Sequence, residues 1–436
     1  MKEEELTVYF LCEAELLGGY GEFLCRRVPS PQGLPPVYNT LNGYVKRGHK
    51  IHIFTQSYDY DKYSDWEYND WQLHNVPSPF KYLRKKRFTK LGKLLYRFSR
   101  LVGLYRVWRR ALAIARETPP DVVYTYSPWS GLPAMHIARK YNAAHVVRRF
   151  GTFLYDVLIG KHHISDGWII EILTYKLYYD LVIMTNDGTF GDKMSLHHGC
   201  PASKLVFWTN GVDKSLYDPD FNRVQFRQEL GLPEDCPIIL SVARLAGMKR
   251  VDRVIEVMRH VTKNRPDAHL VIVGDGVDEE KLRQSTHEYG LDDVVHFVGA
   301  VAHSEIKNYF NASDVYVQFF DRSNRSNPLF EAMCCALPIV TFEGPSTDDL
   351  IFHGKTALCV RSDKIFHERP IACVESEELE KAAQHVVSLL NDKELRSTLG
   401  KNARKQLMEN FQTWEERIKM EIDVVYNLVQ TKKVSK

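Results

Sequence analysis

Ser326-Asn327-Pro328-Leu329-Phe330-Glu331-Ala332-Met333 combines residue types and spacing that could do chemistry. Proline is favoured at the first helical position and asparagine just before it, so the string predicts a helix opening at Pro328, behind a strand that ends near Phe320. The N–H groups and positive dipole end of such a helix suit a phosphate. Glu331, about one turn in, is a carboxylate better matched to a sugar diol, unless it only complements the helix dipole. A second stretch, Val242-Ala243-Arg244-Leu245-Ala246-Gly247-Met248-Lys249-Arg250, puts two cations on a loop behind a strand. A guanidinium fork and an ammonium point charge there can converge on a diphosphate, although spacing alone favours plain solvated cations.

These residues need elements to hold them. Short apolar, β-branched runs recur as Leu6–Cys12, Lys50–Thr55, Asp121–Tyr126, His145–Phe150, Leu181–Thr185 and Leu205–Thr209, with room for helices between them. That alternation predicts a parallel α/β sheet. The pattern restarts with Ile238–Val242, His269–Val273, Val294–Val298, Val315–Phe319 and Ile339–Phe342. Val251, Val254, Ile255, Met258 and Val261 fall at helical spacing between the first two of these, and Ile418, Ile422, Val425 and Leu428 do so in a final helix over roughly Trp414–Val429. The apolar pattern lapses between 212 and 235, where Pro and Asp accumulate, and the domain boundary is placed there. The expectation is two Rossmann-like domains in tandem, with a cleft at the carboxyl ends of their sheets.

Composition agrees. At roughly 100–200 residues per domain, 436 residues make two or three domains. A hydrophobic content of 44%, a charged content of 26% and a net charge of +3 exclude disordered, collagen-like and coiled-coil classes, and the charge is too small to imply nucleic acid. The eight cysteines form no CxxC pair and read as reduced core thiols. The acidic start MKEEE is the reverse of a signal peptide, and no stretch approaches 18 uncharged apolar residues, so a cytoplasmic protein is expected.

Together these pieces resemble the retaining GT-B glycosyltransferases, in particular family 4. The resemblance runs through RGHKIHIFT (Arg47–Thr55), DVVYTYSPWSG (Asp121–Gly131), TNGVD (Thr209–Asp213), SVARLAGMKRVDRVIE (Ser241–Glu256), LVIVGDG (Leu270–Gly276), HFVGAVAHSEI (His296–Ile306), SNPLFEAMCCALPIV (Ser326–Val340), GKTAL (Gly354–Leu358) and Trp414. It implies an acceptor-binding domain over 1–212, a donor-binding domain over 213–412, and a C-terminal helix, 413–436, packing back on the first. Arg244 and Lys249 match the pair that binds the donor diphosphate and stabilises the leaving group, the catalytic assignment. Glu331 matches the second glutamate of E-x7-E, which holds the nucleotide ribose, and Asn327, Pro328 and Leu329 match the helix start near the donor phosphates. Gly274 and Asn210 join the donor set. Gly33, Gly151 and Thr152 match loops facing donor phosphate and acceptor. The family works without a bound metal, so no cofactor is expected.

Three positions depart from the family pattern. Ser323 stands where the first glutamate of E-x7-E falls, leaving the DRSNRSN loop, with Asn324 or Asn327, to hold the sugar. Phe150-Gly151 replaces a His-Gly pair and Tyr124-Thr125-Tyr126 a His-x-His. Gln32-Gly33 replaces Gly-Gly. A non-catalytic nucleotide- or glycan-binding relative, or a sugar-nucleotide epimerase on the same fold, stays open as the alternative. Asp156 is a candidate assistant, or a solvated or capping residue.

No acidic residue lies between Asp70 and Glu117, whereas Lys81, Arg84, Lys85, Lys86, Arg87, Lys90, Lys93, Arg97, Arg100, Arg106, Arg109 and Arg110 do, interleaved with leucines and aromatics. Residues 81–110 therefore read as an interfacial element for anionic lipid, against the plainer reading of a helix packed on the sheet with a solvated basic face. The expected partners are a nucleotide sugar, a saccharide or lipid-linked acceptor and the cytoplasmic membrane surface, with no nucleic acid. Asp59-Tyr60-Asp61, His162-His163 and His197-His198 have poor context or geometry for a metal.

Overall fold

The computed structural model describes residues 4–12, 35–57, 64–68, 71–77, 90–152, 154–158, 166–321, 323, 325–343, 347–361, 374 and 376–434. Two compact units emerge. The first comprises Met1–Asn186, Phe190–Gly211 and Trp414–Lys436, and the second Asp187–Thr189 and Val212–Thr413. Gly33, Asn324, Cys25, Cys373, Asp59-Tyr60-Asp61, His162-His163 and the whole basic run before Lys90 lie outside the described residues, as does the side chain of Asp156.

The first unit holds an eight-stranded sheet of β1 (Thr7–Leu11), β2 (Lys50–Ser57), β3 (Ser64–Tyr68), β4 (Trp71–Pro77), β5 (Val122–Thr125), β6 (Ala144–Arg149), β7 (Leu181–Thr185) and β8 (Leu205–Trp208). Their spatial order is β3-β4-β2-β1-β5-β6-β7-β8. Every pairing is parallel except β3 with β4. Parallel strands covered on both faces need apolar residues in unbroken runs, which is why six of these eight were visible in the sequence. The pair β3 and β4 was not, because it forms the sheet edge and mixes Trp71 and Leu73 with Gln72, His74 and Asn75.

Helices cover both faces. Val37, Leu41 and Tyr44 of the Pro35–Lys46 helix pack with Ile418, Ile422, Val425 and Val429 of the Trp414–Val434 helix against one face. Val107 and Ala111 of the Lys90–Ile114 helix, with Ala134 and Ile137 of the Gly131–Tyr141 helix, cover the other. The C-terminal helix docks through charge as well as apolar contact. Glu421, fully buried, pairs with Arg417 Nη2 at 3.2 Å and Arg148 Nε at 3.5 Å, and accepts from the Tyr124 hydroxyl at 3.4 Å. Arg417 also donates to the Thr209 carbonyl and lies 4.4 Å from the centre of the Trp208 ring.

The second unit holds a six-stranded parallel sheet of β9 (Ile238–Val242), β10 (His269–Val273), β11 (Val295–Gly299), β12 (Val315–Gln318), β13 (Ile339–Phe342) and β14 (Leu358–Val360), ordered β11-β10-β9-β12-β13-β14. Only the three-residue β14 was not foreseen. The Val251–Val261 helix buries the apolar positions that its spacing marked. Because β9 sits between β10 and β12, the loops that follow these three strands emerge side by side.

Removing the Glu421 carboxylate leaves two buried guanidiniums without their shared counter-charge, a loss of about 3–5 kcal/mol. In Glu421→Ala, amides of the Trp414–Val434 helix should lose most of their hydrogen-exchange protection. Wild-type protection would show that apolar contact alone docks the helix.

Candidate functional site

The loop after β9 is built against the loop after β10. Ala243 N–H donates to the Val273 carbonyl at 3.0 Å, Leu245 N–H to Asp275 at 2.7 Å, and Asp278 N–H to Leu245 at 3.1 Å. Gly274 has φ +131°, and a β-carbon there would collide with the Ala243 carbonyl. Only glycine permits this backbone approach. The chain then makes one 3-10 turn, Gly247–Lys249, and Arg250 starts the Val251–Val261 helix from a left-handed conformation, φ 47° and ψ 47°. That strain is offset by the Arg250 guanidinium, which binds Asp252 at 2.8 Å and Asp321 at 3.1 Å.

Asp321 straps the loop after β12 to the same place. Its Oδ1 also takes Arg253 Nη2 at 2.8 Å, and its N–H donates to the Met248 carbonyl at 3.1 Å. Arg253, buried, donates to the Phe319 carbonyl at 2.8 Å. The result places Lys249 Nζ 4.0 Å from the centre of the Phe320 ring. Neither Lys249 nor the exposed Arg244 forms an ion pair with another described residue. Burial and then the like charge of Arg244 push Lys249 down to about 8, against a smaller opposing pull from Asp187.

Asp187 belongs to the second unit and lay outside sequence expectation. Its carboxylate accepts from Thr189 N–H and Oγ1 at 3.1 and 2.6 Å, and burial raises its pKa to about 6. Its carbonyl accepts the Ser323 hydroxyl at 2.6 Å, while Ser323 Oγ accepts from Arg325 N–H at 3.0 Å. Ser323, standing where a glutamate was expected, thus spends its hydroxyl on loop geometry.

The helix after β12 spans Asn327–Cys334. Its cap is Ser326, not Asn327 as the sequence suggested: the Ser326 hydroxyl accepts from Leu329 N–H at 3.3 Å and donates to Gln318 Oε1 at 2.7 Å. Gln318, fully buried, also accepts the Tyr316 hydroxyl at 3.0 Å, so the strand end fixes the cap. Pro328 has no N–H and that of Leu329 serves the cap, so this helix start offers a phosphate less than its three residues promise. Glu331 is half-buried one turn in. Burial pushes its carboxyl up to about 7, with His303 pulling down and Asp213 adding upward.

Arg244, Lys249, Ser323 and Gly274 are therefore held by the loops after β9, β10 and β12, with Asn327, Pro328, Leu329 and Glu331 on the helix that follows β12. Asn210, Gly151 and Thr152 fall in the first unit. Thr152 Oγ1 accepts from Leu154 N–H at 3.1 Å and bonds the buried Glu171, whose carboxyl is raised by burial. Tyr124, Tyr126 and Phe150, which stand where the family pattern has histidines, form a continuous stack with Phe10, centroids 4.8–5.7 Å apart. Cys12, Cys200, Cys236, Cys334, Cys335 and Cys359 are buried thiols outside any disulfide.

Residues 222–406 match the family described as Glycosyl transferases group 1, and residues 37–216 match Glycosyltransferase Family 4. The chain is 25% identical over 344 residues to an alpha-monoglucosyldiacylglycerol synthase of Streptococcus pneumoniae, covering 76% of this chain and 72% of that one. It is 24% identical over 349 residues to the putative colanic acid biosynthesis glycosyltransferase WcaL of Salmonella typhimurium, covering 74% and 82%. Among solved structures, a sucrose-phosphate synthase from Thermosynechococcus elongatus superposes with a TM-score of 0.72 at 18% identity, over 98% of this chain and 100% of that one. Anabaena HepE in complex with UDP superposes at 0.68 and 16% identity, over 96% and 100%. At such identities the structures share the fold. With two family matches lying one on each parallel-sheet unit and together spanning most of its length, the chain belongs to the group 1, family 4 glycosyltransferases of the GT-B fold.

Proposed function

We propose that this glycosyltransferase moves a sugar from a nucleoside diphosphate sugar, with retention and without a metal, to a saccharide or lipid-linked saccharide in the assembly of a surface glycan or glycolipid. The observation that carries the reading is the pair Arg244 and Lys249: two cations on one loop, neither ion-paired among the described residues, with the lysine depressed to about 8 by burial and by the arginine. Such a pair lowers its own electrostatic cost when a dianionic diphosphate arrives, and stabilises the charge that grows as the sugar bond breaks. Glu331 is the half-buried acceptor for the ribose diol. Asn327, Pro328, Leu329, Ser323 and Gly274 shape the same donor site, and Gly151 and Thr152 the acceptor side. The departing phosphate oxygen takes the acceptor's proton on the face it vacates, so no protein base is required. HepE bound to UDP and the diacylglycerol-directed relative support the donor class and a lipid acceptor.

The Lys90–Ile114 helix supports work at the cytoplasmic membrane surface. Leu91, Leu94, Phe98, Leu101 and Tyr105, each more than half exposed, recur at three- and four-residue steps, while Gly92, Ser99, Gly103, Val107 and Ala111 are buried. An apolar stripe on a helix with no acidic residue suits the headgroup boundary of an anionic bilayer. No helix among the described residues is long and apolar enough to cross one.

Calorimetry with UDP, GDP and ADP in EDTA should show saturable binding that Arg244→Ala, Lys249→Ala and Glu331→Ala each weaken at least tenfold, about 1.4 kcal/mol. Unchanged affinity in all three refutes the site. A bound diphosphate raises the Lys249 pKa, so affinity should fall as pH rises through about 8, with proton uptake near pH 8 in buffers of different ionisation enthalpy; it should also fall below about 7 as Glu331 loses its charge. A flat profile between pH 6 and 9 contradicts both roles. The double variant Leu94→Glu, Phe98→Glu should abolish cosedimentation with phosphatidylglycerol vesicles at low salt; retained cosedimentation removes the stripe from the membrane reading.

A further inference from the structure

The second unit holds a carboxylate to which the proposed reaction gives no part. Asp187, Gly188 and Thr189 form a tight turn, with Gly188 at φ +82°. Asp187 Oδ1 accepts both the Thr189 N–H, at 3.1 Å, and the Thr189 hydroxyl, at 2.6 Å, so one oxygen takes both bonds and the orientation of the carboxylate is fixed. A carboxylate has about four lone-pair sites on its two oxygens. No hydrogen bond from another described residue reaches Oδ2. The side chain is half-buried, and burial raises it to about 6 against the pull of the Thr189 bonds and of Lys249.

The turn is tied to the donor loops. Its Asp187 carbonyl accepts the Ser323 hydroxyl at 2.6 Å, and Ser323 lies three residues beyond Phe320, on whose ring the Lys249 ammonium rests. Lys249 is the charged group that acts on the Asp187 carboxyl, and Asp187 in turn pulls Lys249 upward. As a counter-charge, however, Asp187 is weak: Lys249 stays depressed to about 8 and forms no ion pair with a described residue. Nor does a carboxylate suit a diphosphate, which it repels. What a fixed carboxylate with an open oxygen does well is accept from hydroxyls, through hydrogen bonds that its charge strengthens. A nucleoside diphosphate sugar carries hydroxyls on the sugar, one bond beyond the diphosphate.

We propose that Asp187 binds the sugar of the donor, its Oδ2 accepting from hydroxyls of the group to be transferred. The inference rests on the donor reading of Arg244 and Lys249 and adds to it a residue for the sugar. The test is calorimetry of the full chain near neutral pH with UDP, UDP-glucose, UDP-N-acetylglucosamine, GDP and GDP-mannose, each conjugate read against its own diphosphate. Asp187→Asn keeps an oxygen for the Thr189 bonds and removes only the charge. It should weaken the best-bound conjugate at least fivefold, while the bare diphosphate binds as tightly or more tightly because an opposing anion has gone. Weakening of both together would mean that the turn alone depends on the carboxylate, and tightening of both would make Asp187 only a counter-charge to Lys249; either result overturns the assignment. In the unaltered protein the ratio of conjugate to diphosphate affinity should fall as pH drops through about 6, where Asp187 takes up a proton, and in Asp187→Asn it should stay level. Glu331 and Lys249 act on the ribose and diphosphate that both ligands carry, so their titration leaves the ratio alone. A level ratio in the unaltered protein also overturns the assignment. Absence of diphosphate binding sinks the donor reading and this inference with it, whereas diphosphate binding with conjugate affinity unchanged in Asp187→Asn sinks this inference alone.

Discussion

One carboxylate shared by two guanidiniums sets the geometry of the second unit. Asp321 stands after β12, yet both of its arginines, Arg250 and Arg253, come from the start of the helix after β9. That sharing reinforces the Met248 carbonyl, the Arg253 bond to the Phe319 carbonyl and the Lys249 contact with Phe320, which also join the segments after β9 and β12. With it, the left-handed start at Arg250 is tolerated, the turn Gly247–Lys249 is held in place, and the Lys249 ammonium comes to rest on Phe320. The order of strands supplies the neighbourhood, and Asp321 supplies the register within it. The same logic governs the helix behind β12, where the Gln318 amide, the last residue of its strand, holds the Ser326 cap.

Much of this was legible beforehand, for a physical reason. Strands buried on both faces must be β-branched and continuous, so Ile238–Val242, His269–Val273 and Leu181–Thr185 announced themselves to the residue. Arg244, Lys249 and Glu331 were singled out through the family resemblance, since taken alone two loop cations and a first-turn acid read as solvated charge and a dipole complement. What escaped notice depends on partners distant in sequence. Asp187 reaches Ser323 across more than a hundred residues, and nothing near Asp187 marks it. Asp321 reads as an ordinary loop acid until its two arginines fold against it. The edge pair β3 and β4 escaped because an edge relaxes the demand for an apolar run. The cap at Ser326 was misread by one residue because serine and asparagine are equally good caps, and only the Gln318 carbonyl chooses between them.

The Glu421 cluster and the Arg244–Lys249 pair manage charge in opposite ways. In the first, Arg148, Arg417 and Glu421 are buried together with Tyr124, whose hydroxyl burial holds in its protonated, donating form. Such a cluster adds little net stability over apolar packing but penalises every wrong docking of the helix that brings it. In the second, Arg244 and Lys249 form no ion pair among the described residues, and burial and their like charge depress the lysine against a smaller pull from Asp187. The buried cluster is neutralised in place, whereas the Arg244 and Lys249 charges are left uncompensated among the described residues.

The route of the chain gives the C-terminal helix a temporal role. Its apolar face, Ile418, Ile422, Val425 and Val429, completes the core on one side of a sheet whose last strand ends at Trp208. About 200 residues of the second unit are made in between, and at about 5–20 residues per second a ribosome needs roughly 10–40 s to supply them. Until then the core that holds Leu6, Phe10 and Tyr124 lacks four of its apolar residues, and Arg148 lacks Glu421. The first unit thus cannot complete its core until the chain through the second unit has been made.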